Sequence, residues 1–147
     1  MHMKPIRLKN LYETHCKDIP HEPGVYFVMA SAHMEISFFA APGNTGATGY
    51  DVKVLEKKYA CCGNKNLLYI GKAAGKRGLR QRILQYMKYG WQEGVNHKGG
   101  RAIWQIAGAE NLLLTWEVCQ NAAAREHQLL AEFKNQNGTY PLANWRG

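Results

Sequence analysis

The sequence has no long apolar run. Its apolar stretches, such as Ile36 to Ala41 and Leu112 to Leu114, fall far short of the roughly 20 residues a membrane span needs, so no membrane partner is expected. The first residues, Met1 to Asn10, are polar and basic with no apolar segment behind them, which is not a secretory signal. A cytoplasmic location is the expectation. Cysteine is sparse: Cys16, Cys61, Cys62 and Cys119 form no CxxC pair, and the adjacent Cys61 and Cys62 are poorly spaced to share a metal. Free, reduced thiols are expected in place of a disulfide framework or a cysteine–histidine zinc site. Acidic residues are few, 11 against 19 Lys and Arg, and the formal charge of +8 draws polyanions. Nucleic acid is therefore the first partner to consider.

There is no internal repeat, and 147 residues, 46% of them hydrophobic, suit one domain over 1–147 with a core of its own. Turn chemistry at Ile19 to Gly24 leads into a β-prone run, Val25 to Met29. Residues from about 31 to 66 are of mixed character and read as an insertion holding at most an extra hairpin. Leu67 to Ile70 is a second strand that stops at Gly71. Beyond a basic loop, Lys72 to Gly78, the residues Leu79, Ile83, Tyr86 and Met87 share one helical face. Ala102 to Ile106 and Leu112 to Cys119 read as further strands, and Asn121 can cap a last helix that ends before Asn137-Gly138. The fold class is α+β, a small antiparallel sheet flanked by helices.

In that last helix Ala122, Glu126, Leu129, Leu130 and Phe133 fall on one face, so a carboxylate sits within an apolar stripe. An ionised carboxylate there needs an ion-pair partner, an edge exposed to water, or a metal. A salt bridge to an arginine across the sheet is the plainer alternative. In the first long helix Arg82 and Tyr86 are four residues apart and stack on one side; the guanidinium fork suits a phosphate. Tyr26 and Tyr69 lie in the two strands. A phenol ionises near pH 10, so it serves as a base only where cations favour the phenolate, and Lys72, Lys76 and Arg77 are close in sequence. Each of these residues alone has a commoner structural role.

Taken together they resemble a known family. Pro23-Gly24-Val25-Tyr26 and the later Tyr69-Ile70-Gly71-Lys72-Ala73 are similar to the paired motifs of the GIY-YIG nucleases, in the version found in the nuclease half of the bacterial excision-repair endonuclease. Leu79 to Tyr86 is similar to the family's arginine helix, Glu126 falls where its metal-binding glutamate falls, and Asn144 after Pro141-Leu142-Ala143 is similar to its closing asparagine. The resemblance covers Ile19 to Trp145. It departs from the family in the distance between Tyr26 and Tyr69, which the family keeps short, so the expected insertion lies between the first two core strands.

The resemblance implies a DNA endonuclease that uses Mg²⁺ or Mn²⁺ held by Glu126. It implies a site of Tyr26, Tyr69, Gly71, Lys72, Arg82, Tyr86, Glu126 and Asn144, with either Tyr26 or Tyr69 as proton acceptor and Lys72 favouring its phenolate. Lys76, Arg77, Arg80, His97, Lys98 and Arg101 are candidate contacts to the nucleic acid. Two alternatives stay open: a non-catalytic nucleic-acid-binding or partner-docking module on the same scaffold, and a subunit active only with a protein partner. Specificity would come from the insertion, a partner or homo-oligomerisation.

Overall fold

The computed structural model describes residues 4–40, 49–94, 97 and 99–146. Its centre is a four-stranded, wholly antiparallel sheet: β1 (Ile6–Arg7), β2 (Gly24–Met29), β3 (Leu67–Ala73) and β4 (Leu113–Val118), in the spatial order β1-β4-β2-β3. The fold is α+β, as the sequence predicts. β2, with Gly24 to Val28 fully buried, is an inner strand and reads as continuous apolar sequence for that reason. β3 is an edge strand.

Strand alternation divides the core in two. Tyr26, Val28, Tyr69, Leu114 and Trp116 belong to the larger cluster, which they share with Leu79, Ile83, Tyr86 and Met87 of α3 (Gly78–Gly90) and with Leu8 and Leu11 of α1 (Leu8–Glu13). Val25, Phe27 and Ile70 face the other way and pack with Leu130 of α4 (Ala122–Asn137). The four apolar positions read on the α3 face are all buried. α3 begins where it does because Gly78 adopts φ +64° and approaches the Glu22 backbone so closely that an added Cβ would lie 2.3 Å from the Glu22 carbonyl oxygen. Leu79 N–H then donates to that oxygen at 2.8 Å. Asn121 caps α4, accepting from Ala124 N–H at 3.2 Å, and the helix ends at Gly138 in the left-handed conformation.

Three expectations are corrected. β3 does not stop at Gly71 but runs on through Lys72 and Ala73, which pair with Val25 and Gly24. Ala102 to Ile106 is not a strand: Arg101–Gln105 forms a 3-10 turn entered through left-handed Gly100. The buried residues there are Ala102, Ile103, Gln105 and Ile106, a spacing near three that a strand of period two cannot bury on one side. Between β2 and β3, where the sequence suggests at most an extra hairpin, there is a helix, α2 (Val52–Cys61), capped by Asp51 accepting from Lys53 N–H at 2.8 Å. Its inward stripe is Val52, Leu55 and Tyr59, with Val54 exposed on the other side. Phe38 adds a single bridge to Ile106. Residues 41–48 lie outside the described residues, and among those that are described no helix is long and apolar enough to cross a membrane.

Candidate active site

The β2–β3 register sets Tyr26 opposite Gly71 and Val28 opposite Tyr69, so both phenols stand on the α3 face of the sheet. Gly71 has no side chain because Tyr26 occupies its place: an added Cβ would lie 2.3 Å from the Tyr26 Cζ and 2.6 Å from its hydroxyl. Tyr86 of α3 completes the group. The ring centroids are 5.9 Å apart for Tyr26 and Tyr69, 6.1 Å for Tyr26 and Tyr86, and 5.7 Å for Tyr69 and Tyr86, all crossed or tilted as aromatic quadrupoles prefer. Tyr86 donates its hydroxyl hydrogen to the Gly100 carbonyl at 2.6 Å.

Burial pushes all three phenols up, Tyr69 to about 12 and the other two well above their ordinary value. Two of them are further distinguished. Tyr26 and Tyr69 interact through their hydroxyls, which raises Tyr26 and lowers Tyr69. Both also feel the Arg82 guanidinium, which lowers them, and the Glu126 carboxylate, which raises them. One electrostatic neighbourhood therefore holds Tyr26, Tyr69, Arg82 and Glu126. The cation that the phenols sense is Arg82 and not Lys72, which strand alternation turns to the α4 side.

There Lys72 meets Glu126. Their charged atoms are 3.8 Å apart, at the limit of an ion pair, with Lys72 48% and Glu126 20% exposed at the side chain. Burial raises the Glu126 carboxyl above its usual range, and Lys72 offsets this only in part. The arginine next to it in sequence offers no help, because Arg125 is engaged by Glu117 through bonds of 2.8 and 3.3 Å. Glu126 is thus a carboxylate partly withdrawn from water whose one ion pair does not compensate the loss. Its partner Lys72 also lines a cleft of about 330 Å³ that runs between the end of β3 and α3, with Gly75, Gly78, Gln81, Arg82 and Gln85 among its other walls.

Asn144 lies at the outer edge of β3. Its side-chain oxygen accepts from Ile70 N–H and its amide donates to Ile70 C=O, each at 2.9 Å, while Ala143 N–H donates to Leu68 C=O at 2.9 Å. The chain end thereby stands in for a missing fifth strand and fixes the main chain beside Tyr69.

The basic candidates divide. Lys76 and Arg77 are exposed on the loop leading to α3. Arg80 is turned to the protein itself, donating to the carbonyls of Ile19 at 2.6 Å and Lys17 at 3.0 Å. His97, only 2% exposed, is stacked on Tyr86 with centroids 4.6 Å apart, so it presents no surface to a phosphate. Arg101 is half-buried and donates to the His97 carbonyl at 3.1 Å. Lys98 lies outside the described residues. Gln81 and Gln85 were missed as site residues, although their spacing of four places them on one side of α3, each next to Arg82 or Tyr86 in sequence.

No family model, curated protein or solved structure matches the chain. What it does has to be read from its own side chains.

Proposed function

We propose that this chain is a divalent-metal-dependent endonuclease of the GIY-YIG type that hydrolyses phosphodiester bonds in DNA in the cytoplasm. On this reading residues 31–66 are an insertion between the two motif strands, and α2 belongs to it. The observation that carries the proposal is Glu126: a carboxylate short of compensating charge, felt by two phenols that also feel Arg82, and paired with a lysine that lines an open cleft. Among the described residues no three His, Cys, Asp or Glu gather at one point. A single carboxylate suits Mg²⁺ or Mn²⁺, hard ions that keep much of their shell as water and phosphate oxygen, and Glu126 would hold the ion. When bound, such an ion neutralises charge on the scissile phosphate and on the leaving oxygen.

The chain's own groups supply the rest. Arg82 binds the phosphate and stabilises the charge that grows on it as water attacks in line. Tyr69, once ionised through the positive charge of Arg82 and of a bound ion, would take the proton from that water as the new P–O bond forms and the bond to the leaving oxygen breaks. Tyr69 suits this better than Tyr26, because their interaction lowers Tyr69 and raises Tyr26. Tyr86 and Asn144 hold the surroundings in place, Lys72 lines the cleft, and Lys76 and Arg77 are exposed on the loop that leads from it into α3.

A purified sample offered single-stranded, duplex, flapped and branched DNA with and without Mg²⁺ tests the proposal. Metal-dependent nicking of at least one substrate, lost in Glu126→Gln and Arg82→Ala, is the expected result. A second reading, a non-catalytic nucleic-acid-binding or docking module, draws support from the burial of the phenols, with Tyr26 1% and Tyr69 6% exposed. A protein that binds DNA but nicks none of the panel over several metals would establish it.

A further inference from the structure

A second cleft lies on the other side of Trp104, whose ring meets that of Tyr86 at 5.3 Å. It measures about 710 Å³, opens to solvent, and is bounded by α1, the end of α3 and the two 3-10 turns, Arg101–Gln105 and Ala109–Asn111. Its walls are aromatic. Tyr12 and Trp91 are stacked with centroids 4.4 Å apart at 7°, Trp104 meets Trp91 edge-on at 5.6 Å, and Phe39 stands 54% exposed beside them. An apolar surface of this kind left open to water is unusual unless something covers it.

The charges identify what that something is. Glu13 and Glu110 line the cleft against one cation, Lys9, and Glu93 adds a third carboxylate through its hydrogen bond with the Tyr12 hydroxyl. Arg7, close by, is directed at Asn111, with which it makes a bond of 3.2 Å. In a chain of net charge +8 this is a locally acidic site. It disfavours a nucleic-acid strand, whose bases would bring phosphates up to the carboxylates. Aromatic faces rimmed by carboxylates favour an organic cation, and a guanidinium fits both halves: it stacks flat on indole and pairs in parallel with a carboxylate.

We propose that this cleft is a docking site for a partner polypeptide that inserts an arginine side chain between the aromatic wall and Glu13 and Glu110. The volume is more than one side chain fills, which leaves room for the peptide on either side of the arginine.

The test is a titration of the full chain, without DNA, with a capped Gly-Arg-Gly peptide and its citrulline counterpart, which has the same shape but no charge. Indole N–H resonances of Trp91 and Trp104 are followed by NMR. Saturable shifts are expected with the arginine peptide, and about tenfold weaker binding with citrulline, as for a charge-assisted contact replaced by a neutral one. The double variant Glu13→Gln/Glu110→Gln, altered only at exposed positions, should weaken arginine binding about fivefold. Equal binding of the two peptides, no saturable shift, or tighter binding of a thymidine oligonucleotide at the same resonances would overturn the proposal. DNA cleavage is read separately, so failure here and failure of the nuclease proposal remain distinct.

Discussion

The Tyr26 hydroxyl lies where a side chain on Gly71 would be, on the strand directly across from it. Position 71 therefore has to be glycine for Tyr26 to reach over the edge strand toward Tyr69. Gly71→Ala should expel the Tyr26 ring from its place, costing about 1–3 kcal/mol as an overpacked core does. Any nicking should fall to background. Thermal unfolding and the Tyr26 ring resonances measure the two effects. In the pair Gly71→Ala/Tyr26→Ala the ring is gone, so the alanine at 71 should add little further loss of stability; an unchanged additional cost would show that the backbone, and not Tyr26, restricts the position.

Glu126 gives a prediction of opposite signs for stability and activity. Burial holds its carboxyl above the usual range in the folded state, so the fold binds its proton more tightly than the unfolded chain does. Its contribution is present below the ordinary carboxylate range and is lost as pH rises through the raised value. Glu126→Gln, which is never charged, should accordingly melt higher than the parent at pH 7, with the gap closing in acid. The same variant should lose metal-dependent nicking. Mg²⁺ offers a readout that does not involve catalysis: it should raise the melting temperature of the parent and leave that of Glu126→Gln unmoved. A parent chain whose melting is indifferent to millimolar Mg²⁺ and Mn²⁺ alike would remove Glu126 as the metal ligand.

Asn144 acts through Ile70. Its two 2.9 Å bonds satisfy a main-chain donor and acceptor at a buried edge that no further strand covers. Asn144→Ala leaves both unpaired, at about 1–3 kcal/mol for each group left without a partner. Hydrogen exchange should quicken at the Ile70 amide far more than at Phe27 on the neighbouring strand. Asn144→Asp keeps the acceptor for Ile70 N–H but lacks the donor for Ile70 C=O, so it should restore protection of the amide while recovering only part of the stability. Protection at Ile70 that survives the alanine change would show that the edge is held by Ala143 and Leu68 alone.

The parts of this architecture that announce themselves in sequence are those fixed by local periodicity. The α3 face, the Asn121 cap and the Gly138 terminus follow from spacing and turn chemistry, and the carboxylate of Glu126 stands out because it breaks an apolar stripe. What stays hidden depends on contacts distant in sequence. The short β1 and the α1 that follows it look like a polar lead, because Leu8 and Leu11 become core residues only once β4 pairs with Ile6 and Arg7. His97 looks like part of a basic surface loop, and only its packing on Tyr86 takes it inside. The division of labour between Lys72 and Arg82 is likewise set by which side of β3 each faces, and loop proximity in sequence says nothing about that.

His97 carries the last prediction. Its imidazole is pushed down to about 3, first by burial and then by the positive charges of Arg82 and Arg101, so it stays neutral in the folded protein through the whole working range. Unfolded, the same ring takes a proton near pH 6.5. Between those two values the unfolded chain holds a proton that the folded chain does not, and stability falls as the solution is acidified through that window. His97→Phe keeps a flat ring against Tyr86 and removes the titration. It should flatten the stability profile between about pH 6.5 and about pH 3, whereas His97→Ala should lower stability at every pH by opening a cavity beside Tyr86. Urea unfolding at a series of pH values separates the two. If the phenylalanine variant kept the parent's acid slope, the acid sensitivity would belong to other groups and the ring at 97 would already be charged or exposed in the folded protein.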